Sequence, residues 1–209
     1  MKVTHFGHAC VLVETAGARV LLDPGTLSSG FEELRDLSAI LLTHNHPDHL
    51  DSERIGALVE RNRGAVLLAD RESAAELAPL GARAVHDGDH FDFDGVVIDV
   101  VGTTHAPIFE NIPGSANAGY LIDGGAFFHP GDSFEVPTVP VDVLMLAISG
   151  PWLKLGDAIA YLREVEPRVA VPIHEADLTH FDVAFEMLDR LKPARTEFRP
   201  IERSVTTDL

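Results

Sequence analysis

The 209 residues of this chain include one cysteine, one tryptophan and two tyrosines. A lone Cys10 has no intramolecular partner, so a disulfide-stapled scaffold is excluded. Set beside Val11 and Leu12, its thiol reads as a small buried hydrophobe. No run of about 18 apolar residues exists, which excludes a membrane-spanning helix. The opening Met1-Lys2-Val3-Thr4-His5 lacks an apolar signal core, and a cytoplasmic protein is expected. Basic side chains are scarce: 16 Lys and Arg stand against 33 Asp and Glu, for a formal net charge of −17. Such a chain repels polyanions, so no nucleic-acid partner is expected. Linkers and low-complexity tracts are also missing. With a hydrophobic content of 45%, one domain over residues 1–209 is expected.

What the chain does have is histidine, concentrated at one place. Thr43-His44-Asn45-His46-Pro47-Asp48-His49 follows the apolar run Ala39-Ile40-Leu41-Leu42. Imidazole is the commonest protein ligand for Zn²⁺ and carboxylate its usual oxygen partner. On extended backbone His44 and His46 point to one face. Pro47 then turns the chain and offers Asp48 and His49 from another direction. One loop can thus face two metal ions, the arrangement behind two-metal hydrolysis. Because a catalytic Zn²⁺ usually takes three protein ligands, further donors are required downstream. Three strand-like runs supply them: 96–101 leads to His105, 126–128 opens into Gly131-Asp132, and 168–173 ends at His174. Strand ends and the loops after them are where α/β architectures carry functional groups.

The remaining pattern predicts short strands at 2–6, 10–14 and 19–23, a helix capped by Asp51 or Ser52 and running to about 61, and a βα repeat at 65–69 and 72–78. Strands follow at 91–93, 96–101, 120–123, 126–128, 143–147 and 169–173, with helices at 157–165 and 181–191. The connection 106–114 has two prolines and no periodicity, and reads as a rim over the site. Strands first and βα alternation after, in both halves, suggest two sheets packed face to face with helices outside.

The ordered set His44, His46, Asp48, His49, His105, Asp132 and His174 resembles the metallo-β-lactamase fold superfamily over essentially the whole chain. Gly7-His8-Ala9-Cys10, Leu21-Leu22-Asp23-Pro24, His129-Pro130-Gly131-Asp132-Ser133 and Val171-Pro172-Ile173-His174 look most like the branch containing L-ascorbate-6-phosphate lactonase and metal-dependent hydrolases. The resemblance implies a four-layer αββα sandwich and two metal sites. His44, His46 and His105 would hold one ion, Asp48, His49 and His174 the other, and Asp132 would bridge them. Two features depart from better-known branches. His105 lies in Thr-Thr-His-Ala-Pro, which weakens a thiolester hydrolase, and Cys10 comes too early to be the cysteine ligand of zinc β-lactamases.

The expected function is therefore hydrolysis of a small-molecule ester, lactone or phosphoester by a hydroxide shared between two divalent ions, zinc first, manganese or iron as alternatives. Asp48 is the expected proton carrier and Asp132 sets the metal separation. Asp23 is expected to accept an N–H from a ligand imidazole. His8 reads as a neighbouring or substrate-lining group. His129 reads as support for Asp132; Asn117, Tyr120, Phe109 and Trp152 read as packing or pocket lining. An iron protein reacting with O₂ or NO, and a metal-binding sensor without turnover, are the other readings. A homo-oligomer is compatible with the resemblance.

Overall fold

Alternation of branched apolar residues with polar ones builds the sheets. In the strand Val96–Val101, Val96, Ile98 and Val100 are buried while the residues between them are half-buried, the signature of a strand with one face on the core. The computed structural model describes residues 1–109, 112, 114–176 and 178–209, and arranges such strands into two seven-stranded sheets. Glu110, Asn111 and Pro113 of the 106–114 connection lie outside the described residues, as does Asp177.

The first sheet contains β1 (Lys2–Gly7), β2 (Cys10–Thr15), β3 (Ala18–Leu22), β4 (Ala39–Leu42), β5 (Val66–Ala69) and β6 (Arg83–Ala84). The second contains β7 (His90–Phe93), β8 (Val96–Val101), β9 (Gly119–Ile122), β10 (Phe127–His129), β11 (Val143–Ala147), β12 (Val169–Ile173) and β13 (Glu197–Phe198). β14 (Thr207–Asp208) returns to pair with β1 at the edge of the first sheet. Each sheet begins as an antiparallel meander and continues as parallel strands: β1 to β3 are antiparallel and β3 to β6 parallel, while β7 to β10 are antiparallel and β10 to β13 parallel. Parallel neighbours need crossover connections. Helices α1 (Ile55–Arg61), α2 (Arg71–Glu76), α3 (Leu155–Val165) and α4 (Asp182–Leu191) supply four of them.

Three apolar layers follow. The core between the sheets contains Val11, Leu22, Leu41, Ile98, Tyr120, Phe127, Met145 and Val171. Ile40 and Leu42, the alternate residues of β4, face the other way into a layer completed by Ile55 and Leu58 of α1. Leu144 and Leu146 of β11 similarly meet Ala158 and Leu162 of α3 and Leu188 of α4. This is the expected sandwich of two sheets with helices outside.

The differences from the sequence pattern are local. α1 begins at Ile55, and the turn before it is held by Asp51, whose Oδ1 accepts from the N–H groups of Glu53 (3.0 Å) and Arg54 (2.9 Å). α2 begins at Arg71 because Asp70 caps it, accepting from the N–H groups of Glu72 and Ser73. Its far end tightens into a 3₁₀ turn at Ala78–Leu80, where Pro79 cannot donate to an α-helical ladder. The edge strands β6, β13 and β14 have two residues each, too few to show a period.

At one end of the sandwich the sheets are laced together: Tyr120 Oη donates to Leu42 O (2.8 Å) and Ala118 N–H to Thr43 O (2.8 Å). The loop after β3 braces the histidine-rich loop after β4, with Thr26 N–H donating to Pro47 O (2.8 Å) and Asp51 N–H to Pro24 O (3.1 Å). The two loops touch at Gly25, where an added Cβ would lie 1.8 Å from Asp48 O and 2.6 Å from His49 N. Gly25→Ala should therefore displace the 46–49 loop and lower stability by about 2–4 kcal/mol. Gly56→Ala, on α1 with open space around it, should be neutral or stabilising by up to about 1 kcal/mol. Thermal melts of both variants check this contrast, and equal melting temperatures would contradict it.

Candidate metal centre

The laced end of the sandwich gathers the strand-end histidines. His44 and His46 follow β4, with ring centroids 4.6 Å apart. The turn at Pro47 returns His49, whose N–H donates to His46 O (2.9 Å). His105 enters from the loop after β8, Asp132 from the loop after β10 and His174 from the end of β12. His8 comes from the turn between β1 and β2, and its carbonyl accepts the His174 N–H at 3.0 Å.

Two sets of donors result. His44, His46, His105 and Asp132 each offer an atom within 4.8 Å of the others, and so do His8, Asp48, His49 and His174. Asp132 touches both. Its Oδ1 lies 3.0 Å from His174 Nε2 and 3.2 Å from His49 Nε2, and its Oδ2 lies 3.3 Å from His105 Nε2 and 3.9 Å from His44 Nε2. Asp48 Oδ2 lies 3.0 Å from His8 Nε2 and 3.9 Å from both His49 Nε2 and His174 Nε2. All seven expected donors are thus brought together, and His8 stands among them rather than outside them. His46 and Asp48 are half-buried and the other donors buried, so the centre opens to solvent along those two residues.

Hydrogen bonds behind the rings fix which nitrogen faces inward. Asp23 accepts from Thr43 N–H (Oδ1, 2.8 Å), from Thr43 Oγ1–H (Oδ2, 2.7 Å) and from His49 Nδ1 (Oδ2, 2.7 Å). With its proton given to Asp23, Thr43 Oγ1 accepts from His44 Nδ1 at 3.0 Å. His105 Nδ1 donates to Ala106 O at 2.6 Å. His44 and His105 therefore carry the proton on Nδ1 and turn the Nε2 lone pair toward Asp132, while His49 gives its Nδ1 proton to Asp23 and turns Nε2 to the same carboxylate.

Electrostatics agree with this assignment for His44. Burial, then repulsion from His49, holds His44 well below the usual histidine range, and burial followed by His105 lowers His46. Burial also lowers His8, against the hydrogen bond it gives to Asp48. These are neutral imidazoles, the form that ligates metal. His49 goes the other way: burial alone would lower it, but Asp132 and Asp23 on either side raise it well above its ordinary value. Burial would raise Asp132, and His49 and His174 overcome it to hold the carboxylate ionised. The field at the centre thus calls for positive charge.

The donor set fits a divalent cation for a further reason. His44 Nε2, His105 Nε2 and Asp132 Oδ1 are buried and have no hydrogen-bond partner. His49 Nε2 and His174 Nε2 face each other at 2.8 Å, both beside Asp132 Oδ1. Buried acceptors left without a donor in so crowded a space are costly unless something positive lies among them. Inward lone pairs from imidazole and carboxylate suit zinc, manganese and iron alike.

A family model described as a beta-lactamase superfamily domain matches residues 2–174. The chain belongs to the metallo-β-lactamase superfamily. Protein Rv0786c of Mycobacterium tuberculosis is 46% identical over 180 residues, covering 84% of each chain. The UPF0173 metal-dependent hydrolase of Carboxydothermus hydrogenoformans is 27% identical over 194 residues, covering 83% of this chain and 84% of its own. The structure of Igni18, a metallo hydrolase from Ignicoccus hospitalis, superposes with a TM-score of 0.75 at 23% identity, covering 100% of this chain and 98% of that one. That last likeness is one of fold.

In this metallo-β-lactamase superfamily member, groups outside the histidine pattern hold Asp132. Asn117 Oδ1 accepts the Asp132 N–H (3.1 Å) while its Nδ2 donates to Pro130 O (2.9 Å). His129 Nε2 donates to Ala9 O (3.0 Å), and its Nδ1 accepts the Gly131 N–H (3.1 Å). Trp152 Nε1 donates to Asp132 Oδ2 at 2.9 Å. Asn117 and Trp152 carry no local sequence signal for these bonds, which span 15 and 20 residues. Tyr120 is fully buried packing, and Phe109 is exposed.

Asp23 is the second carboxylate on which the centre leans. In Asp23→Asn the side-chain amide would turn an NH₂ toward one of three donors. The variant should lose about 2–4 kcal/mol of stability and bind Zn²⁺ about 10–100-fold more weakly. Thermal melts and competition with a zinc chelator measure both quantities; a variant matching the parent in each would remove this role for Asp23.

Proposed function

We propose that this chain is a metal-dependent hydrolase of small-molecule esters or lactones, built to hold two divalent cations, with zinc the first choice. The observation that carries the reading is Asp132, one carboxylate with an oxygen turned toward each of two donor groups. His44, His46 and His105 would hold one cation with Asp132, and Asp48, His49 and His174, joined by His8, would hold the other. The relative from Carboxydothermus hydrogenoformans, which bears the name of a metal-dependent hydrolase, supports the reaction class.

When bound, such cations polarise a carbonyl or phosphoryl oxygen and bring the pKa of water toward neutrality. The chain's own residues supply position and proton handling. Asp48 is half-exposed at the mouth, with His8 Nε2 on its Oδ2, and can accept a proton from a water on the solvent side and return it to a leaving oxygen. Asp23 and Thr43 hold the Nδ1 protons of His49 and His44, so that each ring presents its Nε2 to the centre. Burial of the remaining donors excludes bulk water from the far side of the centre.

The preference for an uncharged ester or lactone over a phosphoester rests on the surroundings. Among the described residues, every ion pair of the Asp48 and Asp132 carboxylates is with a histidine. Neither carboxylate is held by a guanidinium or ammonium that could also meet a phosphate. The connection that begins beside His105 exposes Ile108, Phe109 and Ile112. An apolar surface next to the mouth suits a neutral organic substrate.

The test is elemental analysis followed by assays of aryl esters, lactones and phosphodiesters with and without chelator. Esters or lactones should be cleaved, chelator should abolish turnover, and Zn²⁺ should restore it. Asp132→Ala should lose both metal and activity. Thermal stability should rise with Zn²⁺, by about 2.7 kcal/mol at a free concentration 100 times Kd. Undiminished turnover in metal-stripped protein would remove the proposal, and preferential cleavage of phosphodiesters would move the substrate class.

A further inference from the structure

Trp152 is the sole tryptophan of the chain. It lies in the loop after β11 and is 8% exposed. Its ring packs with Ala106, Ala147, Phe134 and Leu153, and hydrophobic packing alone would account for a buried indole. Two contacts go further. The indole Nε1 is 2.9 Å from Asp132 Oδ2, and the ring stands edge-on to His105 with centroids 5.5 Å apart at 76°. Both neighbours belong to the group that also contains His44 and His46. Gly150 is shaped around this arrangement: its φ is +146°, and a Cβ there would lie 2.7 Å from Trp152 Nε1.

The chemistry of the donors explains why this bond matters. An aspartate carboxylate turns about a soft, broad torsion, so sterics alone do not hold one oxygen toward each donor group. The imidazoles facing Asp132 Oδ2 do not fix it either. His44 and His105 carry their protons on Nδ1, given to Thr43 Oγ1 and Ala106 O, and present bare Nε2 atoms. Indole N–H, by contrast, is a donor in every state and never a ligand competitor. Asn117 fixes the Asp132 main chain but does not reach its carboxylate.

We propose that Trp152 is a positioning residue for metal uptake. Its N–H sets the rotation of the Asp132 carboxylate, and its ring edge steadies His105, so that the donors around His44 are arranged before a cation arrives. The inference rests on the metal reading of the proposed function and adds a residue outside the ligand set. A group that orients a ligand typically governs metal affinity by 10–100-fold. The same residue provides an internal reporter, because all indole emission comes from this one position.

The experiment is a zinc titration of metal-stripped full-length protein. In the parent, Trp emission should change as Zn²⁺ binds, with the stoichiometry measured in parallel by elemental analysis. Trp152→Phe, with its packing loss controlled by the next variant, keeps an apolar ring in the same packing site and removes the N–H together with part of the ring. Its zinc affinity, measured by chelator competition, should fall about 10–100-fold while its far-UV circular dichroism stays that of the parent. Phe134→Leu loosens packing against Trp152 without touching Asp132, and should leave affinity unchanged. If Trp152→Phe binds Zn²⁺ as tightly as the parent, the inference falls while the proposed function stands. If Phe134→Leu weakens binding as much as Trp152→Phe, packing and not the N–H is responsible, and the inference also falls. A parent that binds no Zn²⁺ overturns the proposed function and this inference with it.

Discussion

A carboxylate that is almost wholly buried is tolerated only where positive charge or several donors surround it, because desolvation of an unpaired ion costs several kcal/mol. Asp132 is that carboxylate here, 2% exposed between two sets of histidines. Much of the surrounding structure can be traced to holding it. Asn117 fastens its main chain, Trp152 its side chain, and His129 the turn that precedes it. Gly131, at φ +62°, lets the turn pass so close to Thr43 that a Cβ would stand 2.7 Å from the Thr43 Cβ. The histidines facing its Oδ2 cannot satisfy the carboxylate by themselves, since His44 and His105 have already committed their protons elsewhere. Their lone pairs and the carboxylate oxygens point at the same small volume. That shared demand for a cation is what unites the two donor groups.

The fold explains why the demand arises at this end of the sandwich. In each sheet an antiparallel meander gives way to parallel strands, at β3 in the first and β10 in the second. At both changes the chain leaves the strand through a turn with an aspartate: Leu22-Asp23-Pro24-Gly25 in one half, His129-Pro130-Gly131-Asp132 in the other. The two aspartates do different work. Asp23 lies behind the histidines and orients His49 and Thr43, whereas Asp132 lies between the two donor groups. Further into the parallel parts, β4 ends at Leu42 and β12 at Ile173, shortly before His44 and His174 respectively. Parallel strands share one direction, so their carboxyl ends fall on one side, and that is where the donors collect.

This division also decides what could be read from sequence. The strands β4, β8, β11 and β12 are apolar runs of four to six residues, and polar residues directly after them stand out by contrast. Hence His44, His46, Asp48, His49, His105 and His174 were legible, and the Pro-Gly turn singled out Asp132. The two-residue edge strands were not, because a period needs more than one repeat to be seen. Neither was the start of α2, where Asp70 supplies a cap that looks like any aspartate after a strand. The bond from Trp152 to Asp132 was hidden for another reason. A tryptophan flanked by Pro151 and Leu153 reads as packing, and nothing local reveals that its N–H ends on a carboxylate in a different loop. His8 belongs to the same class. Its meeting with Asp48 spans 40 residues and exists only once β1 and β4 share a sheet.

Backbone conformation carries a trace of how tightly the centre is specified. His8, Asp23 and His174 adopt φ values of +53°, +46° and +68°, in the left-handed region that side chains with a Cβ usually avoid. Each such residue costs on the order of 1 kcal/mol or more and persists only where the surroundings over-determine it. Here the surroundings are identifiable. The His174 N–H is bonded to His8 O, the His8 N–H to Glu175 Oε1 at 3.2 Å, and the Asp23 N–H to Leu41 O at 3.0 Å. The bonds of His8 and His174 tie one sheet to the other and that of Asp23 ties β3 to β4, so relaxing φ at His8 or His174 would break a contact between the halves of the sandwich. Strain of this kind turns imidazoles and a carboxylate inward from strand ends that would otherwise continue straight into solvent. Cohesion between the sheets therefore stabilises a backbone geometry that local preference alone would not maintain, and the donor groups depend on that cohesion for their positions.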